Sequence, residues 1–169
     1  MKYFLVDSEQ GSVMANDTLD QSFSNSSPED ALDAAPYLEI IEAVIASLDQ
    51  GDGAMVNQTA DGHLWRFLYG SVEVYVQLTG ETEVDTLTVW SPVLSLPAQN
   101  EPQLMKLLLE RNCNETLEAR FGISGEQVLV ISSRILQDIS AAEISRLMTI
   151  VATIADDSDE ELVAKFGLS

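Results

Sequence analysis

The stretch Gly62-His63-Leu64-Trp65-Arg66-Phe67-Leu68-Tyr69, continued across Gly70-Ser71 by Val72-Glu73-Val74-Tyr75-Val76-Gln77-Leu78, decides the fold. In its second half Val72, Val74, Val76 and Leu78 alternate with Glu73, Tyr75 and Gln77. A period of two puts successive side chains on opposite faces of a pleated strand, so this segment predicts a half-buried strand. In the first half Trp65, Phe67 and Tyr69 alternate with Leu64, Arg66 and Leu68, and bulk stands on both faces. Upstream, Met55 to Ala60 predicts another strand, joined through the two-residue hairpin signal Asp61-Gly62. Downstream, Gly80 turns the chain into a strand over Thr86 to Ser91. Pro92 and Pro97 cannot donate to a ladder and mark where the sheet must end or present an edge. Residues 54–96 therefore predict a β-meander.

Helical periodicity flanks the meander. Leu38, Ile41, Ile45 and Leu48 form one stripe of a helix over about residues 36–50, which Gly51 and Gly53 end. A second helix is predicted from Glu101 to Asn112, with Asn100 as its cap and Pro102 tolerated in the first turn. Leu104, Met105, Leu107, Leu108 and Leu109 make it apolar nearly all round, which predicts burial on more than one face. Glu118 to Phe121 and Gln127 to Ser133 read as a second hairpin. Ser140 with Glu143 forms a capping box, and Ile139 with Ile144 a hydrophobic staple, so a third helix starts there. Its stripe of Ile144, Leu147, Met148, Val151 and Ile154 is interrupted at Asp156-Asp157. Ser158 with Glu161 then predicts a last short helix ending at Gly167. The fold class is α+β: an antiparallel sheet of a meander plus a second hairpin, with helices in the order α-βββ(β)-α-ββ-α-α. Residues 1–35 are predicted to be an acidic, mostly flexible extension with a helical turn at Ser27, and residues 36–169 the domain.

The 169 residues carry 28 Asp and Glu against 8 Lys and Arg, a net charge of −20. Nucleic-acid binding is excluded on this reading. Tight phosphate binding uses roughly 6 to 10 Lys or Arg contacts, whereas the basic residues are strewn singly from Lys2 to Lys165. The same charge repels an anionic membrane surface. Tyr3 to Val6 is too short a run for a secretory leader, and no stretch approaches the roughly 20 apolar residues of a membrane span. The expectation is a cytoplasmic protein, and its single cysteine, Cys113, can form no internal disulfide.

Residues able to carry chemistry are few. His63 is the one histidine, beside a hairpin turn and without a nucleophile elbow. Cys113 ends a leucine-rich helix, where packing in the manner of buried free cysteines is expected. One Cys and one His cannot build a zinc site. Asp156, Asp157, Asp159, Glu160 and Glu161 form the densest acidic cluster, but without calcium-loop spacing, and carboxylates are favoured near a helix start by the dipole. Neither a P-loop nor a dinucleotide fingerprint is present. The expectation is a protein without cofactor, metal or catalytic residues. The alternative is a divalent-metal-dependent protein or enzyme using the acidic clusters. Helices on one side of an antiparallel sheet leave the other face open. The aromatic and apolar residues Trp65, Phe67, Tyr69, Trp90, Val93, Leu94 and Leu96 are therefore the candidate surface for a protein partner or a second copy.

The element order, with Gly62-His63-Leu64-Trp65-Arg66-Phe67, Leu117-Glu118-Ala119-Arg120-Phe121-Gly122 and the terminal Lys165-Phe166-Gly167, resembles the YbjN family of bacterial proteins over about residues 36–168. The resemblance implies a fold similar to type III secretion chaperones, which are small, acidic, often dimeric and hold partner proteins. It further implies a sensory-transduction or stress-related regulator. With the two-sided apolar strand, the expectation is a non-enzymatic chaperone-like module or regulatory adaptor, a homodimer that engages a protein partner through an apolar sheet face or edge. The resemblance brings no catalytic residues with it.

Overall fold

Alternating side chains with β-branched and aromatic content produce six strands, and 3.6-residue stripes produce three helices. The computed structural model describes residues 35–51, 53–59 and 62–168. In chain order the elements are α1 (Ala35–Leu48), β1 (Met55–Thr59), β2 (Gly62–Tyr69), β3 (Val72–Leu78), β4 (Thr86–Ser95), α2 (Glu101–Asn114), β5 (Arg120–Ser124), β6 (Gln127–Ile135) and α3 (Ala141–Phe166). The extension expected over residues 1–35 lies outside the described residues, except that Ala35 already belongs to α1. Ala60 and Asp61 also lie outside them. Gly62 follows with φ +104°, and a Cβ there would strike the Leu78 carbonyl, so no other residue fits.

The strands form one antiparallel sheet in the order β1-β2-β3-β4-β6-β5. The expected α+β architecture is the one observed. The meander runs through β4; α2 then carries the chain over so that β6 pairs with β4 and β5 lies at the edge. Both α1 and α3 pack on the face that carries Trp65, Phe67, Val74, Val76, Leu78, Leu87, Val89 and Val130, all buried. Fully burying a side chain of this size contributes about 1.5 to 3 kcal/mol, so this layer is the core.

Three local expectations are corrected. The chain does not break at Asp156-Asp157: α3 is one helix of 26 residues, and its buried stripe passes through Ala155 and Ser158 to Leu162 and Phe166. Asp156 instead reaches the β2–β3 turn, where its Oδ1 accepts from the Ser71 N–H at 2.8 Å and the Ser71 hydroxyl at 3.0 Å. Pro92 does not end the sheet, because β4 continues to Ser95 with a register shift against β6 between Pro92 and Leu94. Nor is α2 buried all round. Leu104 and Leu108 enter the core, but Leu109 is 66% exposed. Its cap Asn100 has φ 47° and makes no side-chain cap bond; its amide donates to the Gln103 side chain at 2.6 Å. The capping box of α3 is as expected: Glu143 N–H donates to Ser140 Oγ at 3.2 Å, and Ser140 N–H to Glu143 Oε2 at 3.0 Å.

Candidate functional site

The face of the sheet away from α1 and α3 is built by the other half of each alternation. Register aligns Met55 with Arg66, Arg66 with Tyr75, Tyr75 with Trp90, Trp90 with Ile131, and Ile131 with Arg120. One row thus crosses all six strands. At its centre the Tyr75 and Trp90 rings stack with centroids 5.4 Å apart and planes 11° from parallel. Such a pair contributes about 0.5 to 1.5 kcal/mol beyond its area.

Glu73 holds one flank of the row. Its carboxylate accepts from Arg66 Nη1 at 3.0 Å and from the Tyr75 hydroxyl at 2.8 Å. Burial pushes the Tyr75 phenol above its ordinary pKa, and the hydrogen bond and charge of Glu73 push it further, against a smaller opposing effect of Arg66. On the other flank Leu129 and Ile131 stand beside Gly122, whose missing side chain leaves a shallow trough of about 300 Å³ lined with Gln77, Thr88 and Trp90.

On the far side of the ring stack the sheet opens. The register of β3 with β4 ends at Tyr75 and Trp90, and the Ser91 hydroxyl donates to the Glu73 carbonyl at 2.8 Å. A cleft of about 310 Å³ follows between Val72 and Glu73 on one side and Pro92 and Val93 on the other, with Asp159 and Val163 of α3 in its wall. Pro92 supplies the cause, since it has no N–H with which to extend a ladder. The stacked rings are therefore a ridge between two depressions.

The expected surface residues do not all lie here. Trp65 is 1% and Phe67 3% exposed, and Val93 and Leu94 are also buried; all four belong to the core. Tyr69 and Leu96 are half-buried against that core. Only Trp90 of the seven sits at the centre of the uncovered face. Bulk does point both ways from β2, but the helices shelter the Trp65 and Phe67 side, and the open side presents Leu64, Arg66 and Leu68. Tyr75, Leu129, Ile131 and Arg120 complete the face. A signal for two of them was present in Val128-Leu129-Val130-Ile131, where apolar residues occupy both faces of β6.

The remaining candidates are dispersed. The Trp65 ring stacks on His63 at 5.6 Å, and Trp65 Nε1 has no hydrogen-bond partner among the described residues. His63 Nε2 stands 3.8 Å from Glu81. Cys113 is exposed, contrary to the packed position expected at the end of α2. In the acidic cluster Asp156 and Asp159 both accept from Ser71, while Glu161 pairs with Arg111. Among the described residues no group of three or more His, Cys, Asp or Glu is placed to hold a metal ion, and no helix is long and apolar enough to cross a membrane.

A family model named YbjN, described as "Putative bacterial sensory transduction regulator", matches residues 37–164. No curated protein matches the chain. Solved structures share its fold. One, "Crystal Structure of the ExsC-ExsE Complex", is similar with a TM-score of 0.55 and 12% identity, covering 75% of this chain and 93% of that one. Another, "Structure of the HopA1-SchA Chaperone-Effector Complex", is similar with a TM-score of 0.51 and 12% identity, covering 73% and 93%. The α+β fold that the resemblance implies is shared with these solved chains.

Proposed function

The chain belongs to the YbjN family, and from that premise we propose that it is a protein-binding module which holds an extended segment of a partner across the uncovered face of its sheet. The observation that carries this reading is the Tyr75–Trp90 ridge with a depression on each side. An extended peptide presents side chains alternately, so it can straddle such a ridge and place a residue in each hollow. Large flat rings supply contact area at little entropic cost. The role in this reading is that of a chaperone-like holder or regulatory adaptor rather than of an enzyme, which the family description supports. One of the similar structures is titled as a chaperone–effector complex, which supports the reading by analogy of fold.

The test is cross-linking in native lysate with recovery on the tagged full-length chain. A partner recovered with the natural protein is lost with Trp90→Asp, provided that variant keeps its thermal transition, and is retained with Val84→Ser at the exposed β3–β4 loop. Equal recovery with folded Trp90→Asp overturns the reading.

A homodimer is a second, compatible reading, favoured by the apolar side chains that α2 and its following turn leave in water. Leu109 is 66% and Leu117 73% exposed, and Cys113 between them is exposed as well. Light scattering on Leu109→Asp checks it: a dimer that becomes a monomer supports this contact, and an unchanged mass removes it.

A further inference from the structure

We infer that the cleft beside Pro92 is an arginine subsite. The extended segment held across the Tyr75–Trp90 ridge carries an arginine that enters this cleft and, two residues away, an apolar side chain that enters the trough. The inference rests on the reading of the face as a binding surface and adds the chemistry of what it holds.

The walls of the cleft suit a long cationic side chain. Asp159 and Val163 both line it and, four residues apart on α3, share one face of that helix. Val163 is 54% exposed, an apolar side chain left in water beside a carboxylate. Val72 and Val93 add buried apolar wall from β3 and β4. Arginine and lysine match this composition, with an apolar stem that packs on such a wall and a charged head. The stacked Tyr75 and Trp90 rings close the cleft. A guanidinium is flat, lies on an aromatic face and meets a carboxylate with two parallel N–H donors. An ammonium does not, so arginine is favoured over lysine.

Charge selects the same occupant. Of the two carboxylates that line the cleft, Glu73 is held from β2 by Arg66 at 3.0 Å. Asp159 accepts from the Ser71 hydroxyl at 2.8 Å, and Asp156, one turn before it, from the Ser71 N–H at 2.8 Å. These donors are neutral, and no Lys, Arg or His among the described residues pairs with either carboxylate. Their charge is therefore open to a cation from outside. The trough differs. Gln77, Thr88, Leu129 and Ile131 line it, and no charged side chain among the described residues does, so it takes the apolar residue. Trp90 borders both hollows. Alternate residues of an extended chain, about 7 Å apart, reach to either side of one ring system.

Selection of displayed random peptides on the tagged full-length chain tests this. Retained sequences are expected to carry arginine, in excess over lysine, two positions from an apolar residue. Synthetic peptides of those sequences are then titrated by fluorescence anisotropy into variants that keep their thermal transition. Asp159→Asn preserves an acceptor for Ser71 and removes one charge; affinity is expected to fall about threefold to tenfold. Glu83→Gln removes the same charge in the exposed β3–β4 loop and leaves affinity unchanged. With the peptide arginine replaced by alanine, Asp159→Asn has no further effect. A selection that retains nothing, or retains sequences without arginine, overturns the inference, as does equal affinity for Asp159→Asn and the natural protein. Arginine and lysine retained alike, with equal losses in Asp159→Asn and Glu83→Gln, also overturn it, because attraction to a chain of net charge −20 then explains the binding. If the inference fails in any of these ways while Trp90→Asp still loses its partner, the proposed function stands. If Asp159→Asn weakens the arginine peptides while folded Trp90→Asp binds them as the natural protein does, the cleft keeps its arginine and the proposed function falls.

Discussion

Trp65 and Trp90 look alike in sequence, each a large ring within an alternating strand, yet the fold places them on opposite sides of the sheet. The difference was not legible because both faces of β2 carry bulk, and which one the helices cover depends on packing between distant segments. Stability separates them. Trp65→Ala is expected to cost about 3 to 5 kcal/mol, the range for emptying an aromatic site in a core. Trp90→Ala loses the ring stack and partial burial only, about 1 to 2 kcal/mol. Urea denaturation of both variants checks the assignment, and equal losses contradict it. Tyr75, beside Trp90, gives a second test. Its neutral phenol is favoured in the fold by burial first and then by Glu73. A folded pKa raised above the unfolded one near 10 means that this contribution is fully present below pH 10 and is lost as pH rises through the folded value. Absorbance titration of the phenolate is expected to show Tyr75 ionising above the ordinary phenol range. Glu73→Gln moves it back towards that range without abolishing the shift, since burial remains.

At the scale of elements, a local pattern decides only where tertiary packing agrees with it: Ser140 with Glu143 caps a helix, whereas the same spacing at Ser158 and Glu161 lies inside one. Ser140 and Glu143 announce the start of α3 because both halves of the box lie within one turn. Asp156 and Asp157 look like a break because the acceptor role of Asp156 depends on Ser71, 85 residues earlier. The stripe through Ala155, Ser158 and Leu162 settles the matter for one continuous helix. Asp157→Pro decides it experimentally. Asp157 is exposed, so the substitution leaves the core intact, but proline in a helix interior costs about 3 kcal/mol or more. A separate last helix beginning near Ser158 tolerates the same proline, so a small loss of thermal stability counts against continuity. Ser140→Ala is expected to cost about 1 kcal/mol. Its effect is pH-dependent. The Ser140 N–H, then the Ser140 hydroxyl, hold the Glu143 carboxyl below its ordinary pKa. That contribution is present above the unfolded pKa and is lost as pH falls through the lowered folded value. The gap between the natural protein and Ser140→Ala therefore narrows on acidification.

For the molecule as a whole, the meander was legible strand by strand, whereas the placement of β6 beside β4 was not. That pairing joins segments separated by α2, and Leu87, Val89 and Val130 reveal it only once a shared core is assembled. Charge is the whole-molecule property that composition does fix. At −20, with six Lys or Arg ion pairs among the described residues, much of the negative charge is left unbalanced. Self-repulsion of this kind weakens as the Debye length falls from about 30 Å at 0.01 M salt to about 8 Å at 0.15 M. Thermal stability is therefore expected to rise over that range in sodium chloride. The comparison that matters is magnesium chloride at the same ionic strength. A cation bound to the folded state adds stability that grows with the logarithm of its concentration, whereas screening of a diffuse field is set mainly by ionic strength. With Asp156 and Asp159 committed to Ser71 and Glu161 to Arg111, the fold provides no preassembled ligand set along α3. Melting temperatures in the two salts are expected to run together. A rise specific to magnesium, removed by Asp157→Asn/Glu160→Gln, would locate a cation site on α3 and revive the metal-dependent alternative.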